Sequence, residues 1–137
     1  MKKMITLAAL ALLAPLAVQA ADYPLNFGEI KNGVVIPGRT LKMCAKSTGY
    51  TYGFEILLPE KGAYEVSGDL QWPSPPGTNC VSCAHALESY GAHAGRYVKR
   101  FTFDAGDQPG DYSLTVIVDH TPMTTVKFKV APTASCP

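Results

Sequence analysis

Apolar and polar residues alternate along most of this chain, and no other sequence feature constrains its fold as strongly. Successive side chains of a β-strand point to opposite faces, so this alternation predicts strands that bury one face. The pattern covers residues 50–58, 64–72, 97–103, 112–118 and 126–130, and shorter apolar runs at 25–27, 34–36 and 41–43 indicate two or three further strands. A Pro-Glu-Lys-Gly turn at 59–62 predicts that the first two long strands form a hairpin.

About seven short strands with almost no helix predict an all-β chain. A strand with one apolar face must cover that face with a second sheet, so we expect an antiparallel two-sheet sandwich. Trp72 and the tyrosines are interpreted as core residues rather than as a cage for a ligand. Residues 21–137 are long enough for a single domain with one core.

Residues 1–20 have the organisation of a cleavable signal peptide. Lys2 and Lys3 form a basic start, the next stretch is almost wholly apolar, and Val18 and Ala20 fit an A-x-A-like cleavage site. The apolar stretch is too short to span a bilayer comfortably, because a spanning helix needs about 20 apolar residues. We therefore predict an exported bacterial protein, periplasmic or secreted, with an uncleaved N-terminal anchor as the alternative.

Cleavage changes the charge of the chain. It removes Lys2 and Lys3 from the 12 basic residues and none of the 11 acidic residues, so the mature chain has a slight excess of acidic residues. This balance excludes a strongly basic nucleic-acid binder, whose affinity comes from neutralising phosphates. Arg96, Lys99 and Arg100 cluster near one strand, where a solvated strand face is favoured over an anion-binding patch.

The sequence carries none of the common catalytic signatures. It has no G-x-S-x-G, no H-E-x-x-H and no phosphate-binding loop. Since no paired nucleophile and base can be recognised either, we expect no enzymatic activity and no cofactor.

Four cysteines remain in the mature chain: Cys44, Cys80, Cys83 and Cys136. An oxidising compartment favours disulfides, and four cysteines allow three pairings. Cys80 and Cys83 are close in sequence, which favours a bond between them and leaves Cys44 for Cys136. In the chain-entropy model the long loop, of about 93 residues, contributes about 4–5 kcal/mol and the short loop about 2 kcal/mol. The other pairings and free thiols stay as alternatives.

The segment between the second and third long strands breaks the alternation. It opens with a proline-rich run, and long connections of this kind are usually functional or disordered. Candidate capping residues predict a short helix between Asn79 and Gly91, on which Cys83, Leu87 and Tyr90 would share a face and pack on the sandwich. The favoured interpretation of this segment is a surface helix held by a disulfide.

Two other functions fit the same segment. Cys80, Cys83 and His85, with His93 as an optional fourth ligand, carry thiolate and imidazole groups that suit zinc or copper, so a periplasmic metal-handling protein is the alternative function. Their spacing matches no standard zinc motif, and a disulfide would remove two of the ligands. A C-x-x-C pair at a helix start also lowers a thiol pKa, as a redox dithiol requires, but the βαβ pattern of thioredoxin-like proteins is missing.

The last third of the mature chain resembles bacterial immunoglobulin-like (Ig-like) domains. Residues Pro109–Val116 carry a P-G-x-Y-x-L-x-V pattern, and Val126–Val130 follow after a turn, as in the final hairpin of those domains. The order of segments is similar to an exported bacterial family of unknown function, and this resemblance implies an Ig-like sandwich. No cysteine lies two residues after Tyr112, so the inter-sheet disulfide of antibody domains is not expected.

These expectations describe an exported, non-enzymatic Ig-like module of the bacterial envelope. Such a module would bind a protein or envelope partner through a loop or a sheet edge. Because a fold does not determine an activity, the resemblance leaves the ligand open.

Overall fold

The structure, a computed structural model, describes residues 22–43, 50–74, 84–104 and 106–132. These residues form nine strands and no helix. The strands are β1 (Leu25–Lys31), β2 (Val34–Pro37), β3 (Thr40–Met43), β4 (Thr51–Leu57), β5 (Tyr64–Gln71), β6 (His85–His93), β7 (Arg96–Phe101), β8 (Gly110–Val118) and β9 (Thr121–Pro132).

The strands build two sheets that face each other. The first has four strands in the order β2-β1-β4-β7, and the second has five in the order β3-β9-β8-β5-β6. All neighbours are antiparallel except β3 and β9, which run parallel. The predicted all-β sandwich is confirmed.

The predicted hairpin of the first two long strands, residues 50–58 and 64–72, is wrong. β4 lies in the four-stranded sheet and β5 in the five-stranded sheet, so the chain crosses between sheets after Leu57. The crossing is bonded to the β6–β7 connection, because Leu58 N–H donates to Gly95 O and Gly95 N–H donates to Pro59 O, each at 2.9 Å. Alternation identifies the buried face of a strand but does not identify the strand with which it pairs. The buried faces of β4 and β5 lie on opposite sides of the core, one in each sheet.

The final hairpin of β8 and β9 is confirmed. Its turn is formed by Asp119 and His120, with φ of 48° and 64°. Two successive left-handed residues are the signature of a type I′ turn, whose twist matches that of the flanking strands. The Asp119 carboxylate accepts the Glu65 N–H at 2.9 Å, which fastens this turn to β5.

The core lies between the sheets and is formed by the alternating residues predicted for it. The largest fully buried side chains are Phe27, Phe54, Leu41, Ile56, Leu114, Val66 and Val116. Trp72, predicted in the core, is instead 36% exposed. β5 ends at Gln71, so the alternation no longer holds the next side chain over the core.

Tyr112 closes the corner that leads into β8. Its side chain is buried, and the hydroxyl donates to the Gln108 carbonyl oxygen, four residues upstream, at 2.5 Å. This arrangement is the tyrosine corner of Ig-like sandwiches. Leu114, two residues later, is fully buried and fills the position where antibody domains place a cysteine.

Replacing Tyr112 by phenylalanine is expected to lower the free energy of unfolding by about 1–1.5 kcal/mol, because the Gln108 carbonyl loses its donor. Burial and then the Asp107 carboxylate raise the pKa of Tyr112 to about 12, whereas an unfolded tyrosine ionises near 10. The unfolded chain therefore loses this proton first, and the stabilisation is complete below pH 10 and is lost as pH rises through 12. Urea midpoints between about pH 8 and pH 11.5 should fall more steeply in the wild type than in the variant, and parallel curves would contradict this role.

Candidate functional site

All four cysteines fall outside the described residues. The Cys44–Cys136 and Cys80–Cys83 pairings therefore stay predictions, as does the redox dithiol. The predicted signal peptide, residues 1–20, lies outside the described part as well. Within that part, no helix has the length and apolar character to cross a membrane.

The predicted helix between Asn79 and Gly91 is wrong over its described part, which is strand β6. β6 is an edge strand of the five-stranded sheet. Most of its side chains are exposed on both faces, so its sequence lacks the apolar–polar alternation of the other long strands. Leu87 is 68% exposed, whereas Tyr90 packs against the core, so the two do not share a buried face. Tyr90 and Gly91 together face one residue of β5, and this β-bulge with Gly91 at φ 88° further breaks the period.

The two histidines of the metal hypothesis lie at opposite ends of β6, about 25 Å apart at ~3.3 Å per residue. His85 Nδ1 is 3.2 Å from the Asp69 carboxylate. His93 stacks on Tyr97 with ring centroids 3.6 Å apart, and its Nε2–H donates to the Tyr90 carbonyl at 2.6 Å. A single site with both histidines is therefore wrong, whereas a site of Cys80, Cys83 and His85 stays a prediction because both cysteines lie outside the described residues. The described residues contain no group of three or more potential metal ligands.

The basic residues of β7 do not form one patch. Lys99 lies on the inward face, with its ammonium 4.7 Å from the Tyr90 ring centroid and 5.4 Å from that of Phe101. Arg96 is held by Glu55 at 2.7 Å and by the Gly33 carbonyl at 3.0 Å. An anion-binding site built from these residues is therefore not supported.

A cleft of about 830 Å³ lies on the outer face of the five-stranded sheet, and we call it the outer cleft. Its floor is formed by the start of β8 and the middle of β9. Asp111, Ser113, Lys127 and Lys129 alternate with the buried residues of these strands, so they stand on the solvent side of the sheet. A volume of this size is within the ~300–1,000 Å³ range of small-molecule sites.

The outer cleft is predominantly cationic. Arg39, Lys127 and Lys129 line it together with one carboxylate, Asp111. Among the described residues, no carboxylate forms an ion pair with either lysine. The two ammonium groups stand on one strand two residues apart, a spacing of about 7 Å along the backbone. Within the described structure, the cleft therefore presents two ammonium groups that form no ion pair, with Asp111 directly across the strands from Lys129.

Arg39, the third cation that lines the outer cleft, has a side chain that is held in place by its neighbours. Its Nη1 donates to the Phe27 and Gly38 carbonyls at 3.3 Å each, and its guanidinium carbon is 5.7 Å from the Phe27 ring centroid. The Arg39 carbonyl also accepts the Lys129 N–H at 2.8 Å. The start of β3 is thereby tied to the strand that carries the lysines.

Hydrogen-bonding side chains and an indole complete the cleft. Ser113 is the cross-strand partner of both Lys127 and Gln71, and its hydroxyl donates to the Gln71 side-chain oxygen at 3.3 Å. Trp72 follows directly after β5, where its backbone N–H donates to the Ala84 carbonyl at 2.9 Å. A single site thus combines an aromatic surface, amide and hydroxyl groups, and two lysines that are in no ion pair with a described carboxylate.

Sequence reasoning missed this site. Lys127 and Lys129 occupy outward positions of a strand, where solvated lysines are common, and Trp72 continued the inward pattern of β5. The available signal was that Trp72 precedes a proline-rich run, where a strand ends.

No family model matches the chain, and no curated protein is similar to it at a significant level. Among solved structures, the chain is similar to an immunoglobulin-like protein from Pseudomonas aeruginosa, with a TM-score of 0.59 and 16% identity, covering 83% of this chain and 99% of that one. A second is an alkylpurine DNA glycosylase from Pseudomonas fluorescens bound to DNA containing an abasic site analog, with a TM-score of 0.44, 12% identity, 80% of this chain and 30% of that one. The first likeness shows the fold, an Ig-like sandwich.

Proposed function

We propose that this chain is an exported, non-enzymatic binding module of the bacterial envelope, and that its outer cleft holds a glycan with carboxylate groups. The observation that carries the proposal is the presence of Trp72 in one cleft with two lysines that form no ion pair among the described residues. The predicted signal peptide supports export, and because the Ig-like fold does not determine an activity, the binding role rests on the chemistry of the cleft.

The charge of the cleft selects an anionic ligand. Three cations against one carboxylate among the described lining residues leave an excess of positive charge, although the mature chain as a whole is slightly acidic. Positive charges that line one cleft attract anions more strongly than the same charges spread over the surface. Lysine ammonium groups donate up to three hydrogen bonds each, which suits carboxylate oxygens.

The position of the cleft favours a glycan over a peptide. Its floor belongs to β8 and β9, which pair with each other along the cleft residues, while the ladders with β5 and β3 reach the cleft only at Ser113 and Lys129. The cleft lies on the face of these strands, whereas a peptide that adds a strand pairs along a sheet edge. Recognition must therefore use side chains. The Trp72 indole suits the C–H face of a sugar ring, and Gln71 and Ser113 suit its hydroxyl groups.

The test uses oligomers of galacturonic acid as the probe and Trp72, the single tryptophan, as the reporter. Titration should change the fluorescence of Trp72, and the affinity should fall as salt is raised. The Lys127→Ala/Lys129→Ala double variant is expected to bind at least about tenfold more weakly, since each charged contact contributes about 1 kcal/mol or more.

The control is Lys31→Ala/Lys61→Ala, which removes the same charge from residues away from the cleft. It should bind as the wild type does, and fully methyl-esterified oligomers should not bind. Equal losses in the two double variants, or equal binding of the esterified probe, would refute the glycan site. Binding of poly-glutamate in place of the oligomers would show a peptide ligand and overturn the proposal.

A further inference from the structure

We propose that the edge of β6 that has no partner among the described strands pairs with β6 of a second copy of this chain, antiparallel and about a two-fold axis at Leu87. The two five-stranded sheets would then join into one continuous sheet. This inference rests on the edge itself and not on the ligand of the outer cleft.

The orientation of the β6 backbone is set by its first contact with β5. Ala84 C=O accepts the Trp72 N–H, so its polar groups point toward β5. Polar groups of successive strand residues alternate in direction, which turns the N–H and C=O groups of His85, Leu87 and Ser89 to the other side. Among the described residues no strand pairs with that side, because β6 is the last strand of its sheet.

The other sheet edges in the described structure carry the usual protection. β2 and β3 have only four residues each, β7 presents Arg96 and Arg100, and the part of β9 that β3 does not cover carries Pro122 and Lys127. Short strands and positive charges prevent one edge from pairing with another. Residues His85–Ser89 contain no lysine, arginine or proline, and their central side chain, Leu87, is 68% exposed. This segment is therefore the edge most open to pairing.

The sequence of the segment is compatible with itself in the antiparallel direction. With Leu87 on the axis, His85 lies opposite Ser89 of the second copy, and Ala86 lies opposite Glu88. No like charges face each other directly, and the two exposed leucines meet on one face, where cross-strand pairs stabilise a sheet. The backbone N–H of Leu87 on each copy would donate to the backbone carbonyl of Leu87 on the other copy.

The same register limits the assembly to two copies. The bulge at Tyr90 and Gly91 ends regular pairing after Ser89, so about five residues of each chain take part. A two-fold contact uses the same surface on both copies and closes on itself. An interface of this size is small, so we expect a weak dimer that forms with increasing concentration.

Sedimentation equilibrium of the full mature chain over a range of concentrations tests the proposal. The apparent mass should rise toward twice that of the monomer. Leu87→Lys places two cations opposite each other on the axis and is expected to weaken the dimer at least about tenfold. Leu87 is exposed, so circular dichroism of the variant should match the wild type. The matched control is Val34→Lys, a change at an aliphatic residue that is 59% exposed on another edge, and it should leave the dimer unchanged.

Amide hydrogen exchange identifies the surface independently. Exchange at His85, Leu87 and Ser89 should slow as the protein is concentrated, because these are the amides that the second copy would cover. A chain that stays monomeric, a dimer that Leu87→Lys leaves intact, or slowed exchange elsewhere but not at these amides would each overturn the proposal.

Discussion

Gly53→Ala is expected to destabilise the protein by about 3 kcal/mol or more, at the upper end of the cost of overpacking. Gly53 lies in β4, paired with Gly28 of β1 on one side and Arg100 of β7 on the other. A Cβ added here would lie 1.8 Å from the Lys99 carbonyl oxygen, closer than Cβ atoms come to backbone. The obstacle is main chain, so β7 itself must move and lose bonds of its ladder with β4.

Gly106→Ala is the matched control for this prediction. A Cβ at Gly106 has no heavy atom within 4 Å, and its φ lies outside the left-handed region. Its substitution should leave stability unchanged or raise it slightly by restricting the unfolded chain. Urea denaturation of both variants measures the difference. A Gly53→Ala midpoint equal to that of Gly106→Ala would show that β7 is not held against β4 as described.

The long strands could be predicted because their two faces lie in different environments. β4, β5, β8 and β9 each place one face in the core and the other in solvent, and the hydrophobic pattern records this difference directly. The final hairpin was also predictable, since its two strands are neighbours in sequence and in the sheet.

β6 could not be predicted by the same reasoning. An edge strand with both faces largely exposed has no buried face, so its sequence shows no apolar–polar alternation. The β-bulge also shifts the phase of any alternation near Tyr90. The sheet to which each strand belongs was equally hidden. β4 and β5 are separated by a short turn-like segment, yet they pair in different sheets, because the choice of partner depends on the whole arrangement of the core.

The candidate site was hidden for a different reason. Its residues come from β3, β5, β8 and β9, which lie far apart in sequence, and each has an ordinary explanation by itself. An outward lysine is normally solvated, and a tryptophan that ends an alternating strand is normally buried. Only the fold shows that Trp72 and Lys127 line one concave surface, so the candidate site is recognised from tertiary structure.

Phe54→Ala and Trp72→Ala are expected to separate the residues that hold the fold from those that bind. Phe54 is fully buried in β4, and its ring centroid lies within 6.4 Å of those of Tyr90, Tyr97 and Phe101. Tyr90 belongs to the opposite sheet, so the loss of this ring leaves a cavity between the two layers. The expected cost is about 3–5 kcal/mol, a large share of the stability of a small domain.

Trp72→Ala removes a larger side chain but is expected to cost about 1 kcal/mol, because Trp72 lies at the end of β5 and is 36% exposed. Both values come from urea denaturation followed by circular dichroism, since the second variant has no tryptophan. In calorimetric titrations with galacturonic acid oligomers, Trp72→Ala should lose binding while it stays folded. A cost for Trp72→Ala as large as that for Phe54→Ala would return Trp72 to the core and remove the aromatic surface from the proposed glycan site.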